Sequence, residues 1–210
     1  MYNIKSRFLR VFLLAGLVAV SLGSTSTALA TEEGLLSLHY DVTGKRLFKI
    51  EANQLFQRTD EGMAWNAIPL PEDVTEGQLL AVSVPYTDSQ TLYIAGTSIG
   101  VQRSTDNGET WQELSANLPS HEVTALTVHR RQNETLYAVV ADNGIYQSED
   151  AGNTWKKMDS GPSQKVNRLV HSDMEGSMQT GWLYAVSDDA VRLSMDCFCG
   201  WRPTGERDAG

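Results

Sequence analysis

The sequence predicts an all-β protein, a β-propeller of four four-stranded blades. Three observations predict it. An Asp stands five residues before a Trp at four places, Asp60/Trp65, Asp106/Trp111, Asp150/Trp155 and Asp196/Trp201, at intervals of 46, 44 and 46 residues. Upstream of each pair lies a matching apolar tetrad: Leu47-Phe48-Lys49-Ile50, Leu92-Tyr93-Ile94-Ala95, Leu136-Tyr137-Ala138-Val139 and Leu183-Tyr184-Ala185-Val186. Beyond residue 30, no stretch carries apolar residues at the period of an amphipathic helix. Short strands grouped in fours, at a period of roughly 45 residues, are the mark of propeller blades. A β-sandwich gives no reason for a fixed period.

Along the chain, Lys5, Arg7 and Arg10 precede an apolar run from Val11 to Gly23, and Ala28-Leu29-Ala30 follows. That is the layout of a secretory signal peptide cleaved after Ala30. The run is short of the roughly 20 residues a membrane span needs. The mature segment, 31–210, is therefore expected to be secreted or periplasmic. The whole chain has 17 basic and 26 acidic residues; without the three leader cations, 14 oppose 26, a formal charge of −12. Nucleic-acid binding is excluded as a general role, because phosphate contacts rest on surplus Lys and Arg.

The repeat divides the mature segment into units of about 35–69, 79–118, 123–160 and 166–203. Each opens with a first run: Leu35–His39, Ala81–Pro85, Ala125–His129 and Arg168–His171. In the third unit the strands are expected at Thr124–His129, Thr135–Val140, Gly144–Gln147 and Thr154–Met158. Val, Ile, Leu and Tyr dominate these runs. The breaks, such as Ala141-Asp142-Asn143 and Asp150-Ala151-Gly152, hold the residues that tolerate positive φ in tight hairpins. Pro69, Pro71, Pro119 and Pro162 mark the passages between units, where no sheet donor is needed.

The segment around each Asp and Trp resembles the Asp-box, or BNR repeat, S-x-D-x-G-x-T-W. The second copy carries Ser104, Asp106, Gly108, Thr110 and Trp111; the third carries Ser148, Asp150, Gly152, Thr154 and Trp155. The first keeps Asp60, Gly62 and Trp65, with Arg58 and Ala64 in place of the Ser and Thr. The fourth keeps Ser194, Asp196 and Trp201, with Phe198 for the Gly and Gly200 for the Thr, which predicts an altered turn. The resemblance implies a sialidase-like, sortilin-like or photosystem II assembly-factor-like propeller. It places the box in the hairpin between the third and fourth strands of a blade. There the Asp accepts backbone N–H groups of its own turn, the Gly permits a left-handed residue, and the Trp packs between sheets. These are structural roles, since the carboxylates recur once per blade and lie far apart.

Sialidase chemistry needs an arginine cluster, a Tyr nucleophile and acid/base carboxylates. The family's Arg-Ile-Pro motif is absent, and the nine mature arginines are scattered. No catalytic residue and no cofactor are assigned. The expected function is a non-catalytic binding or assembly module, with a protein partner in an extracytoplasmic or membrane complex. The alternative is a carbohydrate-active propeller, a sialidase-like hydrolase or a glycan binder; Trp182 is the one tryptophan outside the boxes.

Two further features stand out. Cys197 and Cys199 form a Cys-Phe-Cys element that suits a local disulfide, a bond to a second chain or a soft-metal site. His39, His129 and His171 end the first run of three units, and the resemblance puts that strand innermost. They are a candidate channel cluster for a metal, or strand-end residues bonding their own turns. Four units leave two closures open: a small ring, or an arc that a second copy or a partner completes.

Overall fold

The computed structural model describes residues 36–71, 74, 76–177 and 181–204. The leader proposed at 1–30 lies outside the described residues. Sixteen strands form four antiparallel sheets, each in plain meander order, and the sheets are arranged as the four blades of a β-propeller. Among the described residues there is no α-helix, and no helix long and apolar enough to cross a membrane.

Blade 1 comprises β1 (Ser37–Asp41), β2 (Arg46–Glu51), β3 (Gln54–Thr59) and β4 (Asn66–Ile68). Blade 2 comprises β5 (Gln78–Ser83), β6 (Leu92–Thr97), β7 (Gly100–Ser104) and β8 (Gln112–Glu113). Blade 3 comprises β9 (Val123–Val128), β10 (Leu136–Val140), β11 (Gly144–Ser148) and β12 (Lys156–Asp159). Blade 4 comprises β13 (Arg168–Ser172), β14 (Trp182–Val186), β15 (Val191–Met195) and β16 (Arg202–Pro203). In blade 3 the last strand starts two residues later than its sequence suggests, because Thr154 donates to the box carboxylate and Trp155 turns inward.

The apolar tetrad explains how blades stack. Side chains alternate across a strand, so positions one and three face the preceding blade, and positions two and four face the next. Phe48 and Ile50 of blade 1 meet Leu92 and Ile94 of blade 2 in one cluster. Tyr93 and Ala95 meet Leu136 and Ala138 in the second. Tyr137 and Val139 meet Leu183 and Ala185 in the third. Leu92, Leu136 and Leu183 are all 0% exposed. Burying one such side chain contributes about 1.5–3 kcal/mol, so the three clusters are the main source of cohesion.

No fourth cluster joins blade 4 to blade 1 among the described residues. The outer side of blade 1 leaves Leu38 56% and Tyr40 45% exposed, and the outer side of blade 4 leaves Val170 50% exposed. Among the described residues the four blades thus form an arc with two uncovered flanks.

Candidate functional site

The boxes come first, because they hold the blades together. In box 2, Thr110 donates its N–H to Asp106 Oδ1 (2.9 Å) and its hydroxyl to Oδ2 (2.5 Å), and the Ser104 hydroxyl donates to Oδ1 (2.7 Å). Ser104 Oγ in turn accepts the Gly108 N–H at 2.8 Å. Box 3 repeats this with Thr154, Asp150, Ser148 and Gly152. These donors hold the Asp106 carboxyl down at about 2, led by the Ser104 hydroxyl, and lower Asp150 as well, led by Thr154. Hydrogen bonds to a carboxylate favour its charged form.

Three of the four box tryptophans reach back to the blade before them. Trp111 donates Nε1–H to Pro69 O (2.9 Å), Trp155 to Leu114 O (2.8 Å) and Trp201 to Asp159 Oδ1 (2.8 Å). Among the described residues no blade precedes Trp65. Lys49 and Arg58 lie over its ring instead, at 4.9 and 5.0 Å, an attraction of cation for π-face.

Boxes 1 and 4 depart from the pattern. Asp60, with Ala64 where a Thr would donate, accepts the Tyr40 hydroxyl at 2.8 Å. In box 4, Phe198 occupies the glycine place at φ 57° and Gly200 takes φ 117°, whereas boxes 2 and 3 have positive φ at Asn107/Gly108 and Ala151/Gly152. Phe198 packs into the blade 3/4 cluster, 6.0 Å from the Tyr137 ring. Cys197 and Cys199 are joined as a disulfide. Asp196 is buried and points inward.

There it meets two histidines. His129 and His171 stack with ring centroids 3.9 Å apart. Their Nε2 atoms lie 3.8 and 3.7 Å from Asp196 Oδ2, and all three groups are buried. His129 and His171 thus come together, with Asp196 as a third member that sequence spacing alone did not reveal. His39 stands apart from them. The register explains why: the repeat leucine pairs with Tyr40 in blade 1, Val128 in blade 3 and His171 in blade 4. His39 precedes that position by one residue and His129 follows it by one. Side chains two places apart share a face, so His39 and His129 each turn to the following blade, His39 to blade 2 and His129 to blade 4, where His171 turns back towards blade 3.

The chemistry of the donor set argues against a metal here, although the three ligand atoms lie within 4.8 Å of one another. His129 Nδ1 accepts the N–H groups of Arg131 (3.0 Å) and Gln132 (3.2 Å), and His171 Nδ1 accepts that of Arg130 (3.0 Å). A neutral imidazole accepting at Nδ1 carries its proton on Nε2. Both rings therefore present N–H, not a lone pair, to Asp196. A metal-ligating histidine does the reverse, donating from its far nitrogen. Burial pushes the His171 pKa down to about 4, with His129 beside it adding to the effect, and lowers His129 too. The cluster joins blades 3 and 4, two stacked uncharged imidazoles beside the buried Asp196 carboxyl group. His39, also driven to about 4 by burial, lies on β1.

The inner strands of all four blades border one cleft of about 170 Å³. His39, Arg130, Arg168, Val170 and His171 are among its lining, and no described lining residue is acidic. Arg130 stacks on Tyr86 at 4.0 Å, and Arg168 spans the cleft from blade 4 to Leu80 O of blade 2 at 2.9 Å. Trp182 lies on the outer side of β14, paired with Ser172 and Met195.

Comparison with known families fits this geometry. The sequence profile described as "Sortilin, neurotensin receptor 3" matches residues 99–204. The chain belongs to the Sortilin-Vps10 family. No curated protein sequence matches it. Among solved structures, this Sortilin-Vps10 domain resembles "YCF48 bound to D1 peptide", at 19% identity and TM-score 0.59, over 85% of this chain and 55% of that one. YCF48 from Cyanidioschyzon merolae matches at 18% identity and TM-score 0.58, over 83% and 57% of the two chains. A GH74 enzyme from Niastella koreensis matches at 18% and 0.60, over 82% and 30%. The domain therefore spans about half the length of the YCF48 chains and under a third of the GH74 enzyme. At these identities the likeness is one of fold.

Proposed function

We propose that the chain is a secreted or periplasmic, non-catalytic propeller that holds an extended segment of a protein partner and serves the assembly of an extracytoplasmic or membrane complex. The observation that carries this reading is the cleft. Four inner strands border it, Arg130 offers a cation at its mouth, and no described carboxylate lines it. A peptide carrying acidic side chains suits such a lining by charge complementarity. The YCF48 structure that holds a D1 peptide lends support, as a propeller of like fold with a peptide ligand.

The carbohydrate-active alternative rests on the fold shared with GH74 enzymes. Glycoside hydrolysis commonly uses two carboxyl groups flanking one bond. The buried carboxylates among the described residues are Asp41 and Asp196. Asp41 is engaged by Arg46 at 3.1 Å and by the N–H groups of Thr43 and Gly44. Asp196 faces the two histidines.

The test is affinity capture of the protein from the envelope fraction of its own cells, beside hydrolysis assays on sialosides and β-glucans and a glycan array. One stable protein partner, lost with Arg130→Ala, is the expected result. Turnover of any glycoside, or glycan binding without a protein partner, would overturn the reading.

A further inference from the structure

We propose that the arc binds a second copy of this chain, with blade 4 of each copy seated on blade 1 of the other, so that two arcs close one eight-bladed ring. The argument starts from the tetrad. At three junctions its first position meets a preceding blade, and its second meets a following one. Leu47 is the first-position residue of blade 1 and Tyr184 the second-position residue of blade 4, and each is left half-buried on an open flank. Their counterparts Leu92, Leu136 and Leu183, and Tyr93 and Tyr137, are at most 1% exposed.

The two flanks are therefore the two halves of a junction the molecule already makes three times. Blade 1 presents a receiving surface: Leu38, Tyr40, Leu47, Phe56 and Trp65. Blade 4 presents the opposite one: Val170, Tyr184 and Leu193, side by side in register. A second copy supplies both complements at once, and a twofold axis makes the two new junctions identical. Eight blades lie within the ordinary range of propellers.

The anchor points the same way. Trp111 and Trp155 each bond the carbonyl one residue past the fourth strand of the blade before. On blade 4 the residue in that place is Thr204, held to β15 by its N–H and hydroxyl on Val191 O, at 3.0 and 2.9 Å. It is the acceptor a neighbour's Trp65 would use. Gly62 is also ready: a Cβ there would meet only Thr59 of its own turn, whereas at Gly152 it would press on Leu114 of the preceding blade. One position differs. Lys49 stands where the inner junctions have Ile94, Ala138 and Ala185, which makes this junction more polar and the dimer reversible.

The test is sedimentation velocity and light scattering on the protein as purified from the compartment where it accumulates, across a concentration series. The expected species are monomer and dimer. Val170→Glu and Leu38→Lys, each alone, should reduce dimer at least tenfold while keeping far-UV dichroism and a cooperative melt. Mixed, they should restore a heterodimer, since one junction is then ionic and the other native. A monomer at every concentration overturns the proposal. So does a dimer indifferent to both substitutions, a mixture that stays monomeric, or open polymers that grow with concentration.

Discussion

Blades 2 and 3 are built from the same repeat as blades 1 and 4, yet they live in different surroundings. An interior blade has both faces of its second strand sealed: Leu92 and Tyr93, or Leu136 and Tyr137, are all 1% exposed or less. A terminal blade has one face sealed and one open, and its sequence drifts from the repeat. Lys49 enters the tetrad of blade 1, and box 1 loses its Ser and Thr. Blade 4 loses its box glycine, and its Asp turns inward to two histidines. Blade 1 thus departs from the repeat on its open side, whereas blade 4 departs at its sealed junction with blade 3, where Phe198 and Asp196 replace the usual turn with contacts to the neighbour.

The comparison can be broken most directly at the tetrad. Leu136→Ala should cost about 2–5 kcal/mol, read by urea unfolding at concentrations where the chain is monomeric. Leu47→Ala, the same repeat position on the open flank, should cost under about 1 kcal/mol there. Equal losses would mean that blade 1 is covered within the single chain.

Acid should separate the junctions next. His171 is held near 4 when folded, against an ordinary 6.5, and His129 is also lowered. Below pH 6.5 the unfolded chain takes up protons that the folded chain refuses. Stability is therefore full above 6.5 and falls as the pH drops from 6.5 to about 4. Hydrogen exchange should show blade 4 losing protection before blade 2 over that window. Uniform loss would show that the histidine pair does not limit the 3/4 junction.

A smaller contrast lies in the glycines. Gly152→Ala places a Cβ 2.7 Å from Leu114 Cδ1 at a φ of +91°, and about 1–3 kcal/mol should be lost in thermal melts. Gly62→Ala meets only the movable Thr59 hydroxyl and should change stability by less than about 1 kcal/mol. The smallest effect belongs to Asp106→Asn, on a half-buried carboxylate at the rim of a turn. It should lower the melting temperature slightly at neutral pH. In the parent protein the contribution of Asp106 is present above the ordinary carboxylate pKa and fades as pH falls towards 2.

Much of the fold could be read in the sequence because a repeat announces itself: the Asp-to-Trp spacing and the tetrad both follow the contacts between blades. The candidate site was less open to reading. The pairing of His129 with His171 was suggested by position, but their common partner was Asp196, a residue whose motif assigns it to a turn. Phe198 in the glycine place and Gly200 in the Thr place were the signs that this turn is built differently, and a spacing rule cannot say where its carboxylate goes. Register misled as well, since His39, His129 and His171 end similar runs but differ by one or two residues in pairing. The open flanks were visible only as a question of count.

The direction of the tryptophan anchors has a consequence for how the chain assembles. Trp111, Trp155 and Trp201 all reach towards residues earlier in the sequence, at Pro69, Leu114 and Asp159. A chain delivered N-terminus first therefore exposes each acceptor before the indole that needs it. Every new blade finds its docking site already laid down, and synthesis can proceed one blade at a time, with no long-range contact left to wait for the end.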